Sequence, residues 1–211
     1  MKNPLIRSGT LAELHAHQGD WVFVDLGFSR RSKTCGFLGV CAARQCDTEA
    51  GATKMTFGEL TAMVVTLAQE DGPPLHLVLE APLSAAFAAD GNPMGRTGEK
   101  RENTTRYWYV GLGCSVLVAS MYLLRTVADA VPAREVRVFE GLVSFKDGSK
   151  RSDHTADVQL LKKVVWSGGT SGGHFLAASP IGAPSGSTMA STMSLLGLDA
   201  KPPPIVVGVM P

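Results

Sequence analysis

The chain has 211 residues, 45% of them hydrophobic and 18% charged, which excludes a disordered chain and suits one domain with a sizeable core. With 20 Lys and Arg against 19 Asp and Glu the net charge is +1, so a globally basic nucleic-acid binder is excluded while a local basic patch is not. The cysteines Cys35, Cys41, Cys46 and Cys114 form no C-x-x-C pair, which argues against a zinc ribbon, and nothing marks a secreted disulfide scaffold.

The first 20 residues, "MKNPLIRSGTLAELHAHQGD", hold no apolar stretch of signal-peptide kind. Residues 1–19 predict an N-terminal helical extension, with Thr10 and Glu13 as a capping box and Gly19 past its end. "WVFVDLGF" predicts a strand, "SRRS" a turn and "KTCGFLGVC" a returning strand, together a hairpin, with a weakly signalled third strand around Ala42–Asp47. "TFGELTAMVVTLAQEDG" is an amphipathic helix with Leu60, Val64, Leu67 and Ala68 at helical spacing. "LHLVLEAPLS" is a buried strand with Glu80 at its C-terminal end, stopped by Pro82, and "AADGNPMGRTGEKRENTTR" is a long polar loop.

From Val110 to Leu124 the chain is almost uncharged, but only ~15 residues long against the ~20 that a membrane span requires. It predicts a buried core helix with Cys114 as a filler, ended by Pro132, and the default compartment is cytoplasmic. "EVRVFEG" is a strand with Glu140 at its C-terminal end, and "SDHTADVQLLKKVVW" a helix started by Ser152 or Asp153. Residues 167–211 form a Gly-, Ser- and Pro-rich C-terminal segment expected to pack on the same domain, with a loop predicted over residues 167–188. "SGGTSGG" lacks the P-loop pattern and reads as a flexible connection, "MASTMSLLGL" as a short helix and "PPPIVVGVMP" as an edge strand. The order predicts an α/β fold over residues 20–166: a mixed sheet of N-terminal hairpin strands, then parallel strands, flanked by helices.

Asp25 interrupts the most strand-like run near the N-terminus, where an unpaired carboxylate is costly to bury. Glu80 and Glu140 occupy predicted strand ends, where ligands collect in open α/β sheets. Asp157 and His154 are three apart on a predicted helix and share a face. Carboxylates brought together repel unless a cation neutralises them, and hard oxygen ligands suit Mg²⁺ or Mn²⁺. Two such ions can activate water and stabilise the leaving oxygen in phosphodiester hydrolysis.

"VDLGFSRRSKTCG", "LVLEAPLS", "GNPMGR", "RYWYVGLG", "VFEGLVSFK" and "HTADVQLL" together resemble the family of domains of unknown function numbered 429, predicted to be ribonuclease H-like nucleases. The H-x-x-D form of His154 and Asp157 looks like that of Holliday-junction resolvases in the same superfamily. The resemblance runs from about Trp21 to Lys163. It implies a ribonuclease H-like mixed sheet, with Asp25, Glu80 and Asp157 as metal-binding acids, Glu140 as a fourth candidate and His154 orienting a ligand or water. It implies further a Mg²⁺- or Mn²⁺-dependent nuclease acting on DNA or RNA, and a homodimer as in many resolvases.

Two basic clusters are candidates for phosphate contact: Arg30, Arg31 and Lys33 in the hairpin turn beside Asp25, and Arg96 and Arg106 in the long loop after Glu80. Trp108, next to Tyr107 and Tyr109, reads as an aromatic anchor. Two further readings stay open: a non-catalytic binding module of the same fold, and a phosphate- or nucleotide-binding protein. The latter rests on "DLGFSRRSKTCG", which has the Asp-x-Gly hairpin of the actin-like ATPases.

Overall fold

The computed structural model describes residues 5–16, 18–26, 37–42, 52–101, 103–105, 107–108, 112–144 and 154–209. In chain order its elements are β1 (Ile6–Ser8), α1 (Leu11–Ala16), β2 (Asp20–Asp25), β3 (Phe37–Ala42), β4 (Thr53–Lys54), α2 (Phe57–Gln69), β5 (Leu75–Glu80) and β6 (Ser84–Phe87). There follow β7 (Pro93–Met94), β8 (Lys100–Arg101), β9 (Thr104–Thr105), α3 (Leu112–Asp129), β10 (Val136–Ser144) and α4 (His154–Trp166). Last come β11 (Gly173–Leu176), β12 (Thr188–Ser191), α5 (Thr192–Leu195) and β13 (Ile205–Val209).

The main sheet has eight strands, in the order β11-β13-β10-β5-β2-β3-β4 with β1 also on β10. The expected hairpin is present: β2 and β3 are antiparallel, with Trp21 opposite Cys41 and Asp25 opposite Phe37. β5 lies parallel to β2, β10 parallel to β5 and β13 parallel to β10. The molecule is therefore an α/β protein with a mixed, mostly parallel sheet flanked by helices.

Two strands share one edge of β10, because it is nine residues long. β1 pairs with Val136–Val138 and β13 with Glu140–Ser144. Residues 6–8 are thus stitched into the sheet ahead of α1, where the sequence predicted only a helical extension. The expected capping box is present on α1, with the Thr10 amide donating to Glu13 Oε2 at 2.9 Å and the Glu13 amide to Thr10 Oγ1 at 3.3 Å. β13 is an interior strand, not the expected edge, since β10 and β11 flank it. Its prolines, Pro202 to Pro204, all precede the paired residues, so no ladder donor is missing.

Alternation along the strands divides the core. Val22, Val24, Leu77, Leu79, Val136 and Val138 face α2 and α3, whose buried contributions include Leu60, Val64, Leu123 and Val127. Trp21, Phe23, Val78, Phe139 and Val206 face α4, which contributes Val158, Leu161, Val164 and Val165. Trp108 is the anchor expected of it, packed with Leu142, Ile205 and Val207.

α3 departs from its prediction. Ala119, Leu123, Leu124 and Val127 are buried, but Val118, Tyr122 and Cys114 are exposed. An apolar run of 15 residues covers every side of a helix, and only the stripe at i, i+4, i+8 meets the sheet. No described helix is long and apolar enough to cross a membrane.

A candidate metal centre at the strand ends

Asp25 is the last residue of β2 and Glu80 the last of β5, and they are direct partners in the parallel register. Registered residues on adjacent strands project to the same face, here the face covered by α4. Asp25 is 1% exposed, and Glu80 is half-buried. On α4, His154 and Asp157 lie one turn apart at the N-terminal end, and Asp157 is fully buried. Val158, Leu161 and Val165 seat the helix on the sheet, which carries that first turn over the end of β2.

The outcome is convergence. One ligand atom from each of Asp25, His154 and Asp157 lies within 4.8 Å of the others. His154 Nδ1 is 2.7 Å from Asp25 Oδ2, with the histidine side chain 32% exposed and the aspartate 2%. A carboxylate only accepts, so the histidine donates in this contact, through Nδ1–H. Glu80, expected as a third acid of the site, is on the neighbouring strand and the same face but is not one of the three residues that converge.

Gly141 makes this closure fit. It is the β10 residue in register with Glu80. A Cβ there would lie 2.7 Å from Leu161 Cδ1 and 3.4 Å from the Glu80 backbone. The missing side chain lets α4 settle onto the sheet beside the acids. Sequence reasoning missed Gly141, although its parity with Phe139, two residues earlier on the α4 face, was a usable signal.

Glu140 belongs elsewhere. β10 continues four residues past it, so it is mid-strand and not at a strand end. As the neighbour of Gly141, it projects to the opposite face, away from Asp25 and Asp157. There its carboxylate receives the Leu83 amide at 2.9 Å and Arg96 Nη1 at 2.8 Å. Burial pushes the Glu140 carboxyl above its ordinary pKa, against the pull of Arg96.

Arg96 is likewise not a surface phosphate contact. Its side chain is wholly buried between Glu99 and Glu140. Nη2 reaches Glu99 Oε1 at 2.8 Å, and Nη1 reaches Ser84 Oγ at 2.8 Å. Glu99 also accepts the Arg96 and Trp108 amides, at 2.9 and 3.2 Å. This network ties the segment after β5 to β10 on the face away from the acids. Arg30, Arg31, Lys33 and Arg106 lie outside the described residues, as do Ser152, Asp153 and most of the predicted third strand.

The fold and these side chains define a class: an α/β protein with a carboxylate–histidine cluster at the C-terminal ends of parallel strands. Comparison with family models, curated proteins and solved structures finds no match to this chain.

Proposed function

We propose that the chain is a divalent-metal-dependent nuclease of ribonuclease H-like fold, hydrolysing phosphodiester bonds in nucleic acid. One observation carries this reading: Asp25, His154 and Asp157 converge within 4.8 Å at the ends of β2 and α4, with Glu80 in register beside Asp25. The antiparallel β2–β3–β4 run followed by parallel β5 and β10 supports the fold assignment.

The donor set fits Mg²⁺ or Mn²⁺: hard carboxylate oxygens on a rigid strand and helix, with one imidazole that Mn²⁺ tolerates. Asp25, Asp157 and Glu80 would hold the ion. When bound, a divalent cation there supplies positive charge to a phosphodiester and raises the acidity of water. Asp25 fixes the His154 ring through Nδ1. With a third of its side chain exposed, His154 is placed to orient a water or a substrate oxygen beside the acids.

Asp25→Asn is expected to abolish cleavage of DNA and RNA panels in Mg²⁺ or Mn²⁺ while the far-UV circular dichroism stays that of the parent. Wild-type cleavage by the variant would refute the proposal.

A further inference from the structure

α4 carries a second patterned stripe beside the one that packs on the sheet. Gln159, Lys162, Lys163 and Trp166 stand at i, i+3, i+4 and i+7, and so lie along one side of the helix. Together with Ser167 and Ser171 they line a cavity of about 530 Å³, within the ~300–1,000 Å³ of small-molecule sites. No carboxylate lines it among the described residues. Lys163 is exposed, Lys162 is 5% exposed yet reaches the cavity wall, and Trp166 is half-buried. The Trp166 ring packs roughly perpendicular to Trp21 and Phe23, centroids 6.0 and 5.7 Å away, which steadies it.

Ammonium groups that meet phosphates, beside an indole that presents a face to a base, are the parts of a single-strand binding groove. The cavity belongs to the same helix as the acidic cluster. Asp157 and Trp166 are nine residues apart, roughly 14 Å at 1.5 Å per residue, the stacked length of about four nucleotides. We propose that this stripe binds the single-stranded flank of a nucleic acid, with Lys163 on a phosphate and Trp166 stacked on a base. The proposal rests on the nuclease reading only for the identity of the ligand as nucleic acid.

A competing role exists for Lys163, since a cation in the last turn of a helix offsets its negative end. That role predicts lost stability without lost binding. The test is therefore a titration of the full chain, in EDTA so that nothing is cut, with a fluorescein-labelled 15-nucleotide oligodeoxythymidylate. Wild-type protein should bind with quenching of its tryptophan emission, because Trp21 and Trp108 are buried and Trp166 is not.

Lys163→Ala should weaken binding several-fold and lower the slope of log K against log salt by about 0.7. Trp166→Phe, which keeps an aromatic ring against Trp21, should lose the quenching. Wild-type affinity and slope in Lys163→Ala would overturn the proposal, as would binding without quenching or no binding at all. The nuclease reading fails separately: if binding behaves as expected but wild-type protein cuts nothing in Mn²⁺, the groove stands and the chemistry falls.

Discussion

Replacing Arg96 by methionine removes the cation from a site where two carboxylates have no exposure to water. Arg96 contacts Glu99 and Glu140 at 2.8 Å each, and all three side chains are 0% exposed. Methionine keeps most of the volume, so the change is electrostatic more than steric. Breaking a buried pair by removing one partner costs about 3–5 kcal/mol, a fifth or more of the ~5–15 kcal/mol that holds an ordinary domain together. With a urea slope of ~2 kcal/mol per molar, the unfolding midpoint should fall by about 2 M.

The pH dependence adds a signature. Without Arg96, the upward push of burial on Glu140, whose folded-state pKa already lies above its ordinary value, is opposed only by the hydrogen bond from the Leu83 amide among the described partners. An acid raised on folding costs stability above its unfolded pKa, and the cost is relieved as pH falls and the carboxyl is protonated. The variant's deficit should therefore be larger at pH 8 than at pH 5. Glu140→Gln and Glu99→Gln added to Arg96→Met should recover part of it. A variant within about 1 kcal/mol of wild type at pH 8, with nucleic-acid affinity clearly reduced, would refute this reasoning and return Arg96 to the phosphate-binding role.

His76 is buried against the Trp21 ring, centroids 4.2 Å apart, and burial, then Arg137, holds its pKa down to about 4. Its neutral form therefore contributes stability above pH ~6.5 that is lost as the pH falls towards 4, at up to ~1.4 kcal/mol per pH unit. His76→Phe should flatten the midpoint-versus-pH profile in that window, and an unchanged profile would remove His76 as the cause. Gly141→Ala should destabilise by about 1–2 kcal/mol in urea melts by crowding Leu161. It should also shrink the rise in melting temperature that Mn²⁺ produces. Mn²⁺ at a hundredfold excess over its Kd should stabilise wild type by ~2.7 kcal/mol in thermal melts. Asp157→Asn should lose most of that gain, and equal gains in both proteins would place the ion elsewhere.

Where local chemistry decides, the sequence was legible. The alternation of "WVFVD" and "LHLVLE" located β2 and β5 and put Asp25 and Glu80 at their ends. The 3.6-residue period of residues 154–166 located α4, and the three-residue spacing of His154 and Asp157 placed both on one face. The helix-period stripe from Gln159 to Trp166 was equally readable, since positions 159, 162, 163 and 166 fall on one side of a helix. Trp108 as an anchor also followed from its neighbours in sequence.

What remained was set by partners distant in the chain. "FEG" looks like a strand end, yet β10 runs on to Ser144 because β13, some 60 residues later, pairs with it. That extension makes Glu140 a mid-strand residue of the opposite face, and nothing within a local window reports it. Arg96 has the composition of a phosphate contact, and although Glu99 is three residues away, its burial is completed only by Glu140 from β10. Cys114 and Tyr122 sit in an apolar run whose burial depends on which side of α3 meets the sheet. The sequence by itself determined the elements and the acids they carry. The tertiary structure alone decided which acids meet, because strand pairing and face selection are non-local, and a one-residue change in parity moves a side chain through the sheet.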